Sequence, residues 1–139
     1  MKYLLLMLLL IGVSCSKHKD PGFTSATGSW SYATPDNKIA VTFDLVQNSA
    51  GALEVSQQSI KIDGASYQAV HQISAITATS IQKLRINAND PKAVYGYNIE
   101  FTSGTVSNDF KTITFATATY TWPWGTVNSL SSVKVTRVQ

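Results

Sequence analysis

Apart from Cys15 the 139-residue chain has no cysteine, so no internal disulfide can support it. Stability must come from burial and backbone hydrogen bonding. Charged residues are also scarce, at 14% of the chain. The formal net charge of +3 falls to +2 when Met1–Ser14 is set aside, and to +1 from Phe23 onward. So small an imbalance removes the electrostatic basis for nucleic-acid binding. Histidine occurs twice, as His18 and His71, and no Gly-x-Ser-x-Gly elbow is present. The longest apolar run is 11 residues, Tyr3–Val13, too short to cross a bilayer as a finished helix. No segment shows a helical period of apolar residues.

What is present begins with an address. Lys2 supplies one positive charge, Tyr3–Val13 has the length of a secretory apolar region, and Gly12 and Ser14 are small residues beside Cys15. This beginning resembles a bacterial lipoprotein signal, with Val13 and Ser14 fitting the pattern and Gly12 standing where leucine is usual. The resemblance implies that residues 1–14 are a signal peptide and that the Cys15 thiol is the lipid attachment site. It further implies export and anchoring in the outer membrane through acyl chains such as palmitate, facing periplasm or cell surface. Two or more chains make such an anchor stable where one would be marginal. Residues 15–23 read as a polar tether ending in the turn-prone Pro21-Gly22. Lys17 and Asp20 resemble the export pattern of Bacteroidetes-type surface lipoproteins, while His18 and Lys19 depart from it. His18 has no second metal ligand nearby and reads as part of a solvated spacer.

Residues 24–139 form a single domain rich in Thr, Ser, Val and Ile, with two-fold alternation. Ile39, Val41, Phe43 and Leu45 line one strand face; Tyr95, Tyr97, Ile99 and Phe101 line another. Asp63-Gly64 suits a two-residue hairpin turn and pairs Ile60 with Tyr67 and Ile62 with Ala65. Further strands are expected at Trp30–Ala33, Leu53–Ile62, Ala65–Ile73, Ile81–Ile86, Phe110–Trp122 and Val133–Val138. Asn87–Pro91 is expected to be a turn. Apolar parity reverses between Val55 and Ile60, and again between Phe115 and Tyr120, which makes each site a candidate β-bulge. The expected fold is therefore all-β, an antiparallel eight-stranded up-and-down meander, with a barrel favoured and a β-sandwich as the alternative.

Gly28-Ser29-Trp30 opens the first strand, and Arg137 shares the parity of Val133 and Val135 on the last. This pairing resembles lipocalin-like barrels, in which Gly-x-Trp on the first strand lies beneath a late basic residue. The resemblance implies that Gly28, Trp30 and Arg137 form a structural motif, with the guanidinium stacked on the indole. Only Thr34-Pro35-Asp36-Asn37 follows the first strand, where the family has a long loop.

Chemistry is sparse. His71 shares parity with Tyr67 and Ile73 and reads as an interior hydrogen-bonded histidine. Asp36, Asp63, Asp90 and Asp109 fall at turns; Asp44 and Glu100 lie opposite apolar strand faces and read as solvent-facing. Asn87, Asn89 and Asp90 could offer oxygen to calcium, but lack the spacing of a calcium loop. The expectation is a protein that is not an enzyme, with no cofactor and no metal. Tyr120, Trp122 and Trp124 bracket Pro123 and are the ligand-binding candidates, as flat faces for a glycan or a small apolar ligand. The leading expectation is a lipid-anchored envelope binding module. The alternative is an accessory assembly lipoprotein that contacts an envelope protein.

Overall fold

The computed structural model describes residues 23–89, 96–121 and 127–138. It contains eight antiparallel strands in sequential order, closed into a barrel: β1 (Gly28–Ala33), β2 (Ile39–Gln47), β3 (Leu53–Ile62), β4 (Ala65–Ile76), β5 (Ser80–Asn89), β6 (Tyr97–Val106), β7 (Thr112–Thr121) and β8 (Val127–Arg137). The sheet closes on itself through β1 and β8, so the fold is a barrel consistent with the lipocalin-like type and not a sandwich. Closure removes most of the edge that a flat meander would expose.

Alternation explains the core. Ile39, Val41, Phe43 and Leu45 on β2 point inward and are buried, as are Ile99 and Phe101 on β6. Trp30, Leu84, Ile86, Ile113, Phe115 and Val135 complete an interior filled with side chains. Phe101 packs its ring 5.0 Å from that of Phe115, and Tyr32 meets Phe101 edge-on at 5.5 Å. Gly104, opposite Phe115 on β6, is part of this packing, because a Cβ there would overlap the phenyl ring.

The hairpin at Asp63-Gly64 forms in the expected register, with φ of 48° and 82° and with Ile60 opposite Tyr67. The parity change on β3 is a bulge: Phe43 pairs with Gln58 and Leu45 with Val55, so Ser56 and Gln57 together face Asp44. The change on β7 has a different origin. Inward residues are spaced by three at Ile73/Ile76, Ile81/Leu84, Phe101/Gly104, Phe115/Ala118 and Leu130/Val133, yet the register across β4 to β8 does not slip. One residue in each strand is stepped over at the same level: Ala75, Gln82, Ser103, Ala116 and Ser132. Three of these, on alternate strands, have positive φ: Ala75 (42°), Ser103 (53°) and Ser132 (52°). Five strands thus turn over together along one row, which bends the sheet without breaking its pairing.

Several strands run longer than alternation implied. β5 continues through Asn87 to Asn89, so Asn87 lies in a strand and not in a turn or a calcium loop. β8 begins at Val127 and not at Val133, because the reversal at Ser132 hides its first half from a simple alternation reading.

Candidate functional site

The two ends of the barrel differ. One end is closed by the turns at Asn48–Ala52, Thr77–Thr79 and Ser107–Lys111 and by the segment Phe23–Thr27. Arg137 ties that segment down. Its Nη1 donates to the carbonyls of Ser25 (2.8 Å) and Phe110 (3.2 Å), and its Nη2 donates to the carbonyl of Thr27. The guanidinium carbon lies 3.7 Å from the ring centroid of Phe23 and 5.7 Å from that of Trp30. Trp30 is fully buried, and its Nε1 donates to Ala26 at 3.0 Å. Gly28, with φ of 132°, sits directly against Arg137. The Gly28–Trp30–Arg137 relationship is thus present, but the closest aromatic to the guanidinium is Phe23, a residue the tether reading placed before the domain. Desolvation in this enclosed position lowers the pKa of Arg137.

The opposite end is the mouth. Tyr32 on β1, Tyr97 on β6 and Tyr120 on β7 stand at the last inward positions of their strands, and Tyr67 on β4 stands one inward position in from Ala65. The rings of Tyr67 and Tyr97 are 5.7 Å apart. Burial raises the pKa of the Tyr32 hydroxyl, and Tyr120 and Asp36 raise it further. The phenol therefore stays neutral and can donate a hydrogen bond at physiological pH.

Tyr120, a ligand-binding candidate of the sequence, is 9% exposed and packed in the core cluster; Tyr32 and Tyr67 are not among the sequence's candidates. Their signal was the parity they share with Trp30 and with the cross-strand partner Ile60. Tyr97 is half-buried and packs against the core, on the face where alternation places it. Trp122, Trp124, Tyr95 and Cys15 lie outside the described residues. Asp90 lies outside them as well.

His71 faces the lumen beside the mouth. Its Nδ1 is 3.2 Å from Gln58 Oε1, a carbonyl oxygen that can only accept, so this pairing puts the proton on Nδ1. Gln58 Nε2 donates to the backbone carbonyl of Ala69 at 3.0 Å. Asp44 points outward, and Glu100 forms a surface ion pair with Lys83 at 3.4 Å. Among the described residues there is no cluster of three or more His, Cys, Asp and Glu able to hold a metal.

A cleft of about 240 Å³ opens beside the mouth where β1 and β8 diverge, lined by Tyr32, Pro35, Leu130 and Lys134 among others. It exists because these strands share just two residue pairs, Trp30–Arg137 and Ser31–Thr136.

Searches of protein-family models, curated proteins and solved structures found no match to this chain.

Proposed function

We propose that this protein is a lipid-anchored, non-catalytic binding module of the cell envelope. Its ligand is held at the barrel mouth by stacking on aromatic faces. The observation that carries the reading is the group of four tyrosines above a lumen already filled by Phe101 and Phe115. An interior filled by buried side chains has no room for a long acyl chain, so a shallow, flat ligand such as a sugar ring suits this mouth better than a deep apolar guest. Trp122 and Trp124, between β7 and β8 in the sequence, are further candidates for the same ligand. The pairing of His71 with an amide supports a structural role for that histidine over general-base chemistry.

The anchor fits this polarity. Phe23 lies at the closed end, and the eight residues back to Cys15 span at most about 29 Å when fully extended. With Cys15 acylated, the closed end faces the membrane and the mouth faces away from it. A ligand is then taken from the aqueous side and not from the bilayer.

The test is tryptophan fluorescence of the chain from Ser16 onward, with iodide quenching and titration of oligosaccharides and apolar probes. Trp30 is buried and supplies a constant background, so any response reports on Trp122 and Trp124. A saturable shift with oligosaccharides, weakened about tenfold by Tyr97→Ala, supports the reading. Quench-protected tryptophans with no response to either ligand class overturn it, and the accessory-assembly reading then leads.

A further inference from the structure

The cleft between β1 and β8 takes no part in the stacking described above, yet it shares a wall with the mouth, because Tyr32 belongs to both. Past Trp30–Arg137 and Ser31–Thr136 the two strands separate. β1 ends at Ala33 and runs into Pro35, while β8 is kinked at Ser132, where φ is 52°. The opening lies between Tyr32 and Leu130, which are half-buried, and Pro35, Ser131, Ser132 and Lys134, which are exposed. Its volume of about 240 Å³ equals that of roughly eight waters at ~30 Å³ each. That is room for one sugar ring and not for a chain of them.

The rim carries charge of one sign. Among the described residues Lys134 forms no ion pair and no hydrogen bond. It pairs with Thr114 on β7 and lies between Ser132 and Thr136 on its own outer row, so no strand neighbour offers a carboxylate. Asp36, which follows Pro35, has its Oδ1 taken up within its own turn by Thr34 Oγ1 at 2.6 Å and by Lys38 N at 3.2 Å. Ser131 and Ser132 add hydroxyls. The Tyr32 hydroxyl, kept neutral by burial, forms no hydrogen bond among the described residues. The wall is therefore apolar at Leu130 and Pro35, hydroxylic at three residues and cationic at one.

We infer that this cleft is a second subsite beside the mouth, taking one sugar ring that carries an anionic group such as a uronate carboxylate. The inference rests on the glycan reading proposed above and adds the sign of the glycan's charge. Charge complementarity selects the occupant, since an unpaired ammonium at the rim attracts an anion. Leu130 and Pro35 suit the C–H face of a ring, and the free hydroxyls can exchange hydrogen bonds with those of a sugar. Lysine is a flexible point charge, so it selects the sign of the group and not a bidentate geometry. The rim is exposed and screened, which limits the gain to about three- to fivefold in affinity.

The chain from Ser16 onward contains the whole described barrel, and isothermal titration calorimetry on it tests the inference. The probes are trisaccharides of galacturonate, mannuronate and glucuronate, each beside its methyl ester, which keeps the ring and loses the charge. At least one acid is expected to bind about three- to fivefold more tightly than its ester at low salt. Lys134→Met should remove that difference and Lys134→Arg should keep it, while Tyr97→Ala weakens acid and ester alike. Amide chemical shifts of Ala33 and of Ser131 to Lys134 should move with the acid, which needs no variant. Near-UV circular dichroism checks that each variant keeps the barrel. Equal binding of every acid and its ester, or a difference that survives Lys134→Met, overturns the inference and leaves the glycan reading standing. No binding of acids, esters or neutral oligosaccharides overturns both.

Discussion

Gly28 and Arg137 are in such close contact that one added methyl group on Gly28 would collide with the guanidinium, with Cβ 2.6 Å from Nη2. The backbone of Gly28 is also at φ 132°, a region that side chains rarely adopt. Gly28→Ala is therefore expected to destabilise the barrel by about 1–3 kcal/mol, through strain and displacement of Arg137 together. Arg137→Met keeps much of the apolar stem but leaves the carbonyls of Ser25, Thr27 and Phe110 without their donor, at about 1–3 kcal/mol. Urea unfolding of each variant gives these values. A loss below half a kcal/mol for both would mean that the Phe23–Thr27 segment does not hold the closed end.

Gly104 and Phe115 make the same point inside the lumen. φ is not at issue there, so Gly104→Ala reports packing against the phenyl ring alone, with an expected cost of about 1–3 kcal/mol. The double variant Gly104→Ala/Phe115→Leu should recover part of that cost, because the smaller side chain leaves room for the methyl group. Thermal melts of the four proteins in this cycle measure the coupling. Strict additivity would show that the two residues do not share one space.

Ala75 sits in the row of reversals with φ of 42° and no side-chain hydrogen bond to offset it. The left-handed conformation costs an alanine about 1–2 kcal/mol, against about 0.5–1 kcal/mol for the added flexibility of glycine. Ala75→Gly should therefore raise stability slightly, by about 0.5 kcal/mol. A lower melting temperature would mean that the kink is held by Ala75 packing and not tolerated despite it.

Two hairpin turns share one chemistry. In Thr34–Ile39, Thr34 Oγ1 donates to Asp36 Oδ1 at 2.6 Å and Lys38 N donates to the same oxygen at 3.2 Å. In Ser107–Thr112, Ser107 Oγ donates to Asp109 Oδ1 at 2.5 Å and Lys111 N donates at 3.2 Å. The residue after each Asp has positive φ, Asn37 at 56° and Phe110 at 54°. The side-chain hydrogen bonds, then the backbone ones, hold both carboxyls below the usual aspartate value. With the folded value depressed, their contribution to stability is present above the ordinary value of 3.8 and is lost as pH falls through the folded one. Melting temperature should fall on acidification in that window, and Asp36→Asn/Asp109→Asn should flatten the fall. An unchanged acid limb in the double variant would assign the pH dependence to other carboxyls.

Gln58 supplies the polar link where β3 and β4 part. Gln58→Ala removes its bonds to Ala69 and His71 and should cost about 1–2 kcal/mol. Faster hydrogen exchange should appear first in β4, at Ala69 to Ile73. Uniform acceleration across the barrel would mean that the seam opens only with global unfolding.

Much of the fold was legible locally. The Asp63-Gly64 turn set its hairpin register because few residue pairs tolerate its backbone angles, and β2 declared itself by unbroken alternation. The β3 parity change marked a bulge because an extra residue must turn the following side chains over. The β7 change was visible too, but one strand cannot tell a bulge from a reversal shared by all its neighbours. Of the candidate site, the inward direction of Tyr120 was readable from the parity change on β7. Tyr32 and Tyr67 were hidden, since which end of a strand lies at the mouth depends on the order of the other seven.

The sequence by itself determined the strand content, the up-and-down order of short connections, the dependence on burial in a domain without cysteine, and the inward set on β2 and β6. These follow from side-chain period and turn chemistry, which act over a few residues. Tertiary structure alone decided the closure through β1 and β8, the aligned reversals from Ala75 to Ser132, and the grouping of four tyrosines from four strands at one end. It also decided that β3 and β4 share a ladder of just three residue pairs, continued by Gln58. Each is a relation between residues far apart in the chain, fixed by how a twisted sheet must tilt and bend to close around the volume of its own side chains.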